Sequence, residues 1–486
     1  MSLLPALAWA GGPFQPVLPD EGDRYSLGTV VRSDRSDEWW ESLDDEALNS
    51  LVREALRANH DVAAAQARFH AAAGVTLQSA APLLPTASFD VGLNAVPSAN
   101  AVFMVSPQLM ELLNGFSDLA SSIPGQQPPA AGDDEEDPEL TWNGSALLNL
   151  GLNIDLGRSA TALRAAQLDA AAARDDRDAV ASTIVQQVVA SWLDVRAARS
   201  RVALIEGQIE TNISLLGLTR ARFLSSEAGA LDVLQQEQQL AATRALLPQS
   251  QQLLRLRELQ LATLLGQDPS APELPVVAGL PDLPPQPGLG RPVDLVNERP
   301  DLAAASKRLQ SARQRLASSA LSFAPSFRLS GNVGYQLRWF KEWETRDTWG
   351  LGAAVSIPIF GGLQRIGGLK QAVASRNAAA RSLSAAALKA RAEVETALVR
   401  EETEGRRLQA LEDQLRAARV AYQESSQRYA SGLVSNIAVL TALASWQVAE
   451  LNHLQAQRDL LGARIDLHTA LGAPWTGRLN SSGTLR

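Results

Sequence analysis

The sequence predicts an α+β membrane protein with an internal two-fold repeat. Several copies pool four strands each into a β-barrel and pack paired long helices into a tube. Three observations carry this. Pro358 is followed by no further proline until Pro474, although the chain has 25, and the interval is rich in Ala, Leu, Arg, Gln and Glu, a helix-building composition. The same helical hairpin occurs twice. Four segments of about ten residues alternate apolar and polar side chains, the period of a strand with one apolar face.

The second helical hairpin is interrupted once, at Arg428-Tyr429-Ala430-Ser431-Gly432-Leu433-Val434-Ser435-Asn436, where Gly, Ser and Asn punctuate the pattern. A shift of 206 places Arg222-Phe223 on Arg428-Tyr429, Leu231 to Leu234 on Ile437 to Leu440, and Leu265-Gly266 on Leu471-Gly472. The first copy is proline-free from Glu139 to Leu247; Pro248 then falls where the second copy has Leu454, and a kink is expected there. Ser159 to Leu224 would run roughly 100 Å as a helix, too long for a globule. Leu408, Leu411, Leu415, Ala418 and Tyr422 have the 3-4-3-4 spacing of a coiled-coil seam.

Composition narrows the class. With 486 residues, 45% hydrophobic and 20% charged, the chain is not disordered, and the repeat argues for one object made of two similar halves. A net charge of −9 and a pI near 5.2 exclude a nucleic-acid surface. Cysteine is absent, so there is no disulfide framework and no thiolate site. His60, His70, His453 and His468 are scattered singly and read as helix-surface or packing residues, not ligands. Met1 to Ala10 ends Ala8-Trp9-Ala10, the small-x-small form of a signal-peptidase site, but carries no Lys or Arg; it reads as a truncated or rebuilt leader. No apolar run approaches the ~18 residues of a transmembrane helix, so strands must make any crossing.

Residues 1–38 form the leader and an extended arm. The first repeat, 39–267, opens with Trp39-Trp40-Glu41-Ser42-Leu43-Asp44 and one alanine-rich helix to about Ala81. Adding 240 places Asn59-His60-Asp61-Val62 on Arg299-Pro300-Asp301-Leu302 and Pro85 on Pro325; the copies differ by 34 residues, 240 minus 206. A strand hairpin at 86–156 follows. Ala87, Phe89, Val91, Leu93 and Ala95 alternate with polar residues, as do Trp142, Gly144, Ala146, Leu148, Leu150, Leu152 and Ile154, with Leu147 the exception on the polar side. The surplus lies in the hairpin loop, roughly Val96 to Leu140, whose acidic run Asp133 to Asp137 reads as a solvated loop. The helical hairpin at 159–266 completes the repeat.

Residues 268–292 are a Pro- and Gly-rich linker expected to wrap the outside of the tube. The second repeat, 293–475, has a helix, a strand hairpin at 326–359 and a helical hairpin at 363–471; 476–486 reads as a flexible tail. Its strands carry Phe327, Leu329, Val333, Tyr335, Leu337 and Trp339, then Trp349, Leu351, Ala353, Val355 and Ile357, on their apolar faces. Four strands cannot close a barrel and open edges are forbidden in hydrocarbon, so the chain must assemble; three copies give twelve strands. Trp142, Trp339, Phe340, Trp343 and Trp349 are candidates for an interfacial aromatic girdle. A soluble sandwich is the competing reading of the strands, but it leaves the helices unexplained.

These residues resemble a family. Trp39-Trp40 with Leu43-Asp44, Arg299-Pro300-Asp301-Leu302, Ala324-Pro325-Ser326, Pro358-Ile359-Phe360-Gly361-Gly362, Arg428 to Val434, and Leu467-His468-Thr469-Ala470-Leu471-Gly472-Ala473-Pro474-Trp475 are similar to signatures of the TolC-like outer-membrane factors of Gram-negative bacteria, of NodT type. Each motif is weak alone; together they cover nearly the whole chain in order. The resemblance implies a homotrimer: a twelve-stranded antiparallel β-barrel in the outer membrane, continuous with a twelve-helix periplasmic α-barrel. It implies the exit duct of a tripartite efflux pump. The partners would be an inner-membrane transporter, of resistance-nodulation-division type, and a periplasmic adaptor (membrane fusion protein) docked on the helical tips. The tips map to Ser225, Ser226 and Gly229, and to Tyr429, Ser431, Gly432, Leu433 and Val434. The closed aperture maps to Leu231, Asp232 and Gln235, and to Ile437, Ala438 and Thr441. Relatives often carry aspartates at the positions of Ala438 and Thr441, so Asp232 is the remaining acid and Ile437 points to an apolar constriction. The lipid-modified cysteine of many members has no counterpart here.

No catalytic constellation is present. Gly362-Leu363-Gln364-Arg365-Ile366-Gly367-Gly368 lacks the Lys-Ser/Thr of a phosphate-binding loop, and no serine–histidine–acid set is suggested, so no enzyme and no cofactor are expected. Two alternatives remain at this level: the outer-membrane conduit of a type I protein secretion system, and a soluble coiled-coil scaffold.

Overall fold

The computed structural model of the chain describes residues 14–19, 24–26, 38–97, 140–339, 343–359, 362–472 and 474–479. The first-hairpin loop with its acidic run, Phe340, and most of the leader and tail lie outside them. Two compact units result, one helical (residues 1–78, 162–317 and 367–486) and one built on a sheet (79–161 and 318–366). These units cut across the two repeats, because each repeat supplies strands to one and helices to the other.

The sheet has four antiparallel strands: β1 (Thr86–Pro97), β2 (Leu140–Asp155), β3 (Ser326–Trp339) and β4 (Trp343–Ser356), in the order β1-β2-β3-β4. The two hairpins therefore join through a β2–β3 pairing, from Trp142↔Trp339 to Asp155↔Ser326. β4 starts earlier than its alternation shows. Thr345 and Asp347, opposite Leu337 and Tyr335, are polar on the otherwise apolar face and hide the period. Leu147, the exception on the polar face, sits opposite Gly334, where a Cβ would meet the Ala146 carbonyl oxygen at 2.0 Å. The chain leaves β2 at Gly157 (φ 93°), and the Asp155 carboxylate accepts the Ser159 N–H at 2.9 Å as the next helix begins.

The helices are α1 (Glu46–Ala58), α2 (His60–Ala80), α3 (Arg158–Leu224), α4 (Ala230–Leu265), α5 (Leu295–Glu298), α6 (Pro300–Leu321), α7 (Gly362–Ala430) and α8 (Asn436–Leu471). α3 and α7, 67 and 69 residues, are each about 100 Å long at ~1.5 Å per residue. α4 runs on as helix through Pro248. The seam Leu408, Leu411, Leu415, Ala418 and Tyr422 is half-buried while most residues between are exposed, and Tyr422 stacks on Trp446 with centroids 4.9 Å apart.

The first helix differs from the sequence reading: it breaks at Asn59. The Asn59 amide leaves the helix to donate to the Leu264 carbonyl at 2.9 Å, while its oxygen accepts the Asp61 N–H. In the second repeat Arg299 breaks α5 from α6 and donates to the Ala470 carbonyl at 3.0 Å. Positions 59 and 299 are related by 240, and 264 and 470 by 206, so the two sequence offsets meet in one structural joint. Gly266 (φ 71°) and Gly472 (φ 120°) close it, since a Cβ there would lie 2.6 Å from Ala58 O and 2.7 Å from Glu298 O. Burial opposes the charge of Asp301, yet hydrogen bonds from Arg299 outweigh it and hold that carboxyl below the usual range. Glu393 completes the pairing to Arg299 at 2.7 Å.

The main core lies around the middle of α3. Trp40 packs edge-on against Trp475 (5.0 Å) and Trp39 stacks on His468 (5.3 Å), so the first and last family signatures touch. Asp45 caps α1 through the Leu48 N–H and accepts Trp192 Nε1 (2.8 Å) and Arg196 Nη1 (2.6 Å). Leu479 joins this core, so the start of the expected flexible tail is anchored. The linker lies on α3 and α8: Arg196 donates to Gly279 O, Arg199 to Pro275 O and Arg464 to Pro284 O. The described part of the N-terminal arm runs along α7, from Arg381 over the Phe14 ring to Glu395 on the Ser26 N–H.

Gly266→Ala is expected to lower the thermal midpoint of the helical circular-dichroism signal more than Gly279→Ala. Both positions are left-handed, at ~1–2 kcal/mol for alanine, but Gly279 has open space around it and Gly266 adds a backbone clash.

Candidate functional site

On the sheet, directly paired residues share a face. One row, Phe89–Leu148–Val333–Trp349, is apolar from edge to edge, and rows Ala87–Leu150–Gly331–Leu351 and Ile154–Phe327–Val355 repeat it. This face is open to solvent in the chain: Phe89 is 68% exposed, Trp349 76% and Leu351 84%. Such an area exceeds what a soluble monomer normally displays. The opposite face carries Ser88, Asp90, Asn149 and Asn332, with Asn149 and Ser88 both donating to Asp90 (2.7 and 2.9 Å). Of the aromatic candidates, Trp142, Trp339 and Trp343 share one register row, Trp349 lies on the exposed apolar face, and Phe340 lies outside the described residues.

Within the helical unit, both hairpins end in the same turn. Ser226 N–H bonds Phe223 O (3.0 Å) and Glu227 N–H bonds Arg222 O (2.9 Å); 206 positions on, Gly432 bonds Tyr429 O (3.0 Å) and Leu433 bonds Arg428 O (2.8 Å). This is a Schellman closure, with Ser226 (φ 59°) and Gly432 (φ 75°) in the left-handed position. Ser225, Ser226, Gly229, Ser431, Gly432 and Leu433 are exposed, and Val434 is half-buried. Tyr429 is not displayed. It is 3% exposed, packed with Leu215, Val439 and Leu443, and its ring lies 4.6 Å under the Arg222 guanidinium of the other hairpin.

The aperture candidates divide. Leu231, Ile437, Ala438 and Thr441 are exposed at the starts of α4 and α8. Gln235 is half-buried, and the Thr441 hydroxyl donates to Ile437 O. The Asp232 carboxylate accepts the Gly229 N–H at 2.9 Å, capping its own helix where a negative charge faces the positive end of the helix dipole. Asn436 crosses between hairpins to donate to Asp232 O at 3.2 Å.

Sequence reading missed Arg222 and the polar seam behind it. Gln208, Asn212, Leu215, Thr219 and Arg222 follow a 4-3-4-3 spacing, so the signal was present as polar residues at seam positions. Gln208 donates to Gln447 O (3.1 Å) and Glu450 (3.0 Å), Asn212 to Thr243 (3.3 Å), and Gln236 back to Asn212. Burial pushes the Glu450 carboxyl above the usual range, against the opposing hydrogen bond from Gln208. Among the described residues no group of metal-ligating side chains converges, and no helix is long and apolar enough to cross a membrane.

Tyr429→Phe is expected to be nearly neutral, because the buried hydroxyl has no hydrogen-bond partner. Tyr429→Ala removes the ring that joins the tips and is expected to cost ~3 kcal/mol locally, read as amide exchange on the order of a hundredfold faster at 215–222 and 436–443.

Comparison with known proteins places this architecture. A family model described as outer membrane efflux protein matches residues 51–267 and 292–473. The pyoverdine export outer membrane protein OpmQ of Pseudomonas aeruginosa is 27% identical over 451 residues, covering 91% of this chain and 89% of the relative. Nodulation protein T of Rhizobium leguminosarum bv. trifolii is 26% identical over 446 residues, covering 90% and 87%. The solved outer-membrane channel OprN superposes with a TM-score of 0.78 at 24% identity, over 94% of this chain and 99% of that one.

Proposed function

The chain belongs to the outer membrane efflux protein family, and from that premise we propose that three copies form the outer-membrane exit duct of a tripartite pump of resistance-nodulation-division type, passive and open to small molecules. The family is one of outer-membrane channels, not enzymes, and its place is the Gram-negative outer membrane with the helical part in the periplasm.

The observation that carries the trimer is the sheet: one apolar face, one polar face and, among the described residues, two unpaired edges, β1 and β4. Closing three sheets edge to edge satisfies the edges, turns the apolar faces to lipid and the polar faces to a water-filled lumen. From Ile154 to Trp142 the strand rises ~40 Å, which at a ~40° tilt leaves about 30 Å, the thickness of a hydrocarbon core. The role of OpmQ, pyoverdine export, supports small-molecule cargo over the protein cargo of a type I system. The aperture lies at the helical tips, with Leu231 and Ile437 as its apolar lining and the Arg222–Tyr429 stack holding the hairpins together. An adaptor docks on the exposed Ser225–Gly229 and Ser431–Val434 turns and opens it.

Purified protein in planar lipid bilayers is expected to give discrete conductance steps that grow when Arg222→Ala and Tyr429→Ala are combined; no conductance from either form overturns the duct. Gly432→Trp and Ser226→Trp are expected to abolish cross-linking to the adaptor and drug resistance while membrane insertion persists. Unchanged cross-linking and resistance remove the docking assignment alone.

A further inference from the structure

Halfway along α3, a cavity of about 250 Å³ opens between α3, α4 and α8. Its apolar wall is Ala197, Ala198, Leu253, Leu451 and Leu454. Three guanidiniums reach it, one from each helix: Arg201, Arg257 and Arg458. A single carboxylate, Asp194, lines it with them, and it pairs with Arg458 and, at 3.3 Å, with Arg257. Arg201 has no carboxylate there; its Nε donates to the Ser250 hydroxyl at 3.2 Å. Asp459, 3.8 Å from Arg458, is not a lining residue; it meets Arg407 at 3.3 Å, which Glu404 shares at 3.0 Å. Three positive groups and one negative leave the cavity two charges positive.

The cavity sits where the repeats diverge. Leu454 in its wall is the counterpart of Pro248 on α4, one turn before Gln252 and Leu253. Pro248 cannot donate to the carbonyl four residues back and its ring crowds that turn, which weakens regular packing of α4 at this level.

Guanidinium forks match the oxygens of carboxylates and phosphates with paired hydrogen bonds, and a half-buried site strengthens that pairing relative to water. We propose that this cleft binds a small dianionic oxyanion, of phosphate or dicarboxylate class, shared by Arg201, Arg257 and Arg458. The ligand balances the surplus of two charges and bridges the first helical hairpin (α3 and α4) to the second (α8). Binding stabilises the arrangement of the hairpins, and this holds whether or not the chain is a duct.

The test is calorimetric titration of the full purified protein, in phosphate-free detergent at constant ionic strength, with inorganic phosphate and separately with succinate. Saturable binding of either is expected, with a rise in thermal midpoint that tracks occupancy. Saturation by phosphate alone assigns a phosphate-bearing ligand, and by succinate alone a dicarboxylate. Arg201→Gln, which leaves both Asp194 pairs intact, is expected to weaken binding at least tenfold. Asp194→Asn removes the competing carboxylate and is expected to tighten it severalfold. Absence of saturable binding by both anions, or an affinity unchanged in Arg201→Gln, overturns the proposal.

Discussion

Among the described residues β1 and β4 each pair with one strand, so half their backbone N–H and C=O groups point away from it, and in hydrocarbon each such group costs several kcal/mol. That constraint organises the sheet. An edge can be left open in water, but the Phe89, Val333, Trp349 and Leu351 face is poorly suited to water, and an apolar face suited to lipid cannot keep an open edge. The two requirements are met together only by closure onto further strands. On the other face Ser88 and Asn149 both donate to Asp90, a polar surface that the proposed closure would turn to the lumen.

The repeat solves a second problem, how to seat a long returning helix against the start of its own half. Both halves use a carbonyl near the end of the returning helix as acceptor and a glycine as the point of closest approach, yet the donors differ. Asn59 is short: its amide donates to the Leu264 carbonyl and its oxygen accepts the Asp61 and Val62 N–H groups. Arg299 is longer and charged, so it brings Asp301 and Glu393 with it. The joint is kept as geometry while its chemistry has drifted.

This contrast marks what was legible in the sequence. The strands, the long helices and the turns at Ser226 and Gly432 were readable because each depends on a local rule: period two, absence of proline, and a residue tolerant of positive φ. The break at Asn59 was not read: its oxygen caps the Asp61 and Val62 N–H groups locally, but an asparagine within an alanine-rich run does not announce a stop without the Leu264 carbonyl, more than 200 positions away, that takes its amide. Early β4 was hidden because Thr345 and Asp347 place polar groups on both faces. At the tips, the turn residues were found but Tyr429 was read as surface. Its burial depends on Arg222 and Leu215 from another hairpin, and no spacing within its own helix announces that.

The tips also separate two duties that sequence reading merged. Asp232 is the acid at the mouth of the first hairpin, and its carboxylate caps α4. The second hairpin has Ala438 in that place, and Ser435 makes no side-chain cap. The start of α8 is instead held from outside, by Asn436 on the Asp232 carbonyl and by the seat of Tyr429 beneath Arg222. Both turns close through the same backbone bonds, but the start of the returning helix has its own side-chain cap in the first hairpin and only contacts to the first hairpin in the second. A motion that parts the hairpins leaves α4 capped but strips α8 of its external fastening, so the cost of parting falls on the second tip, beside Ile437.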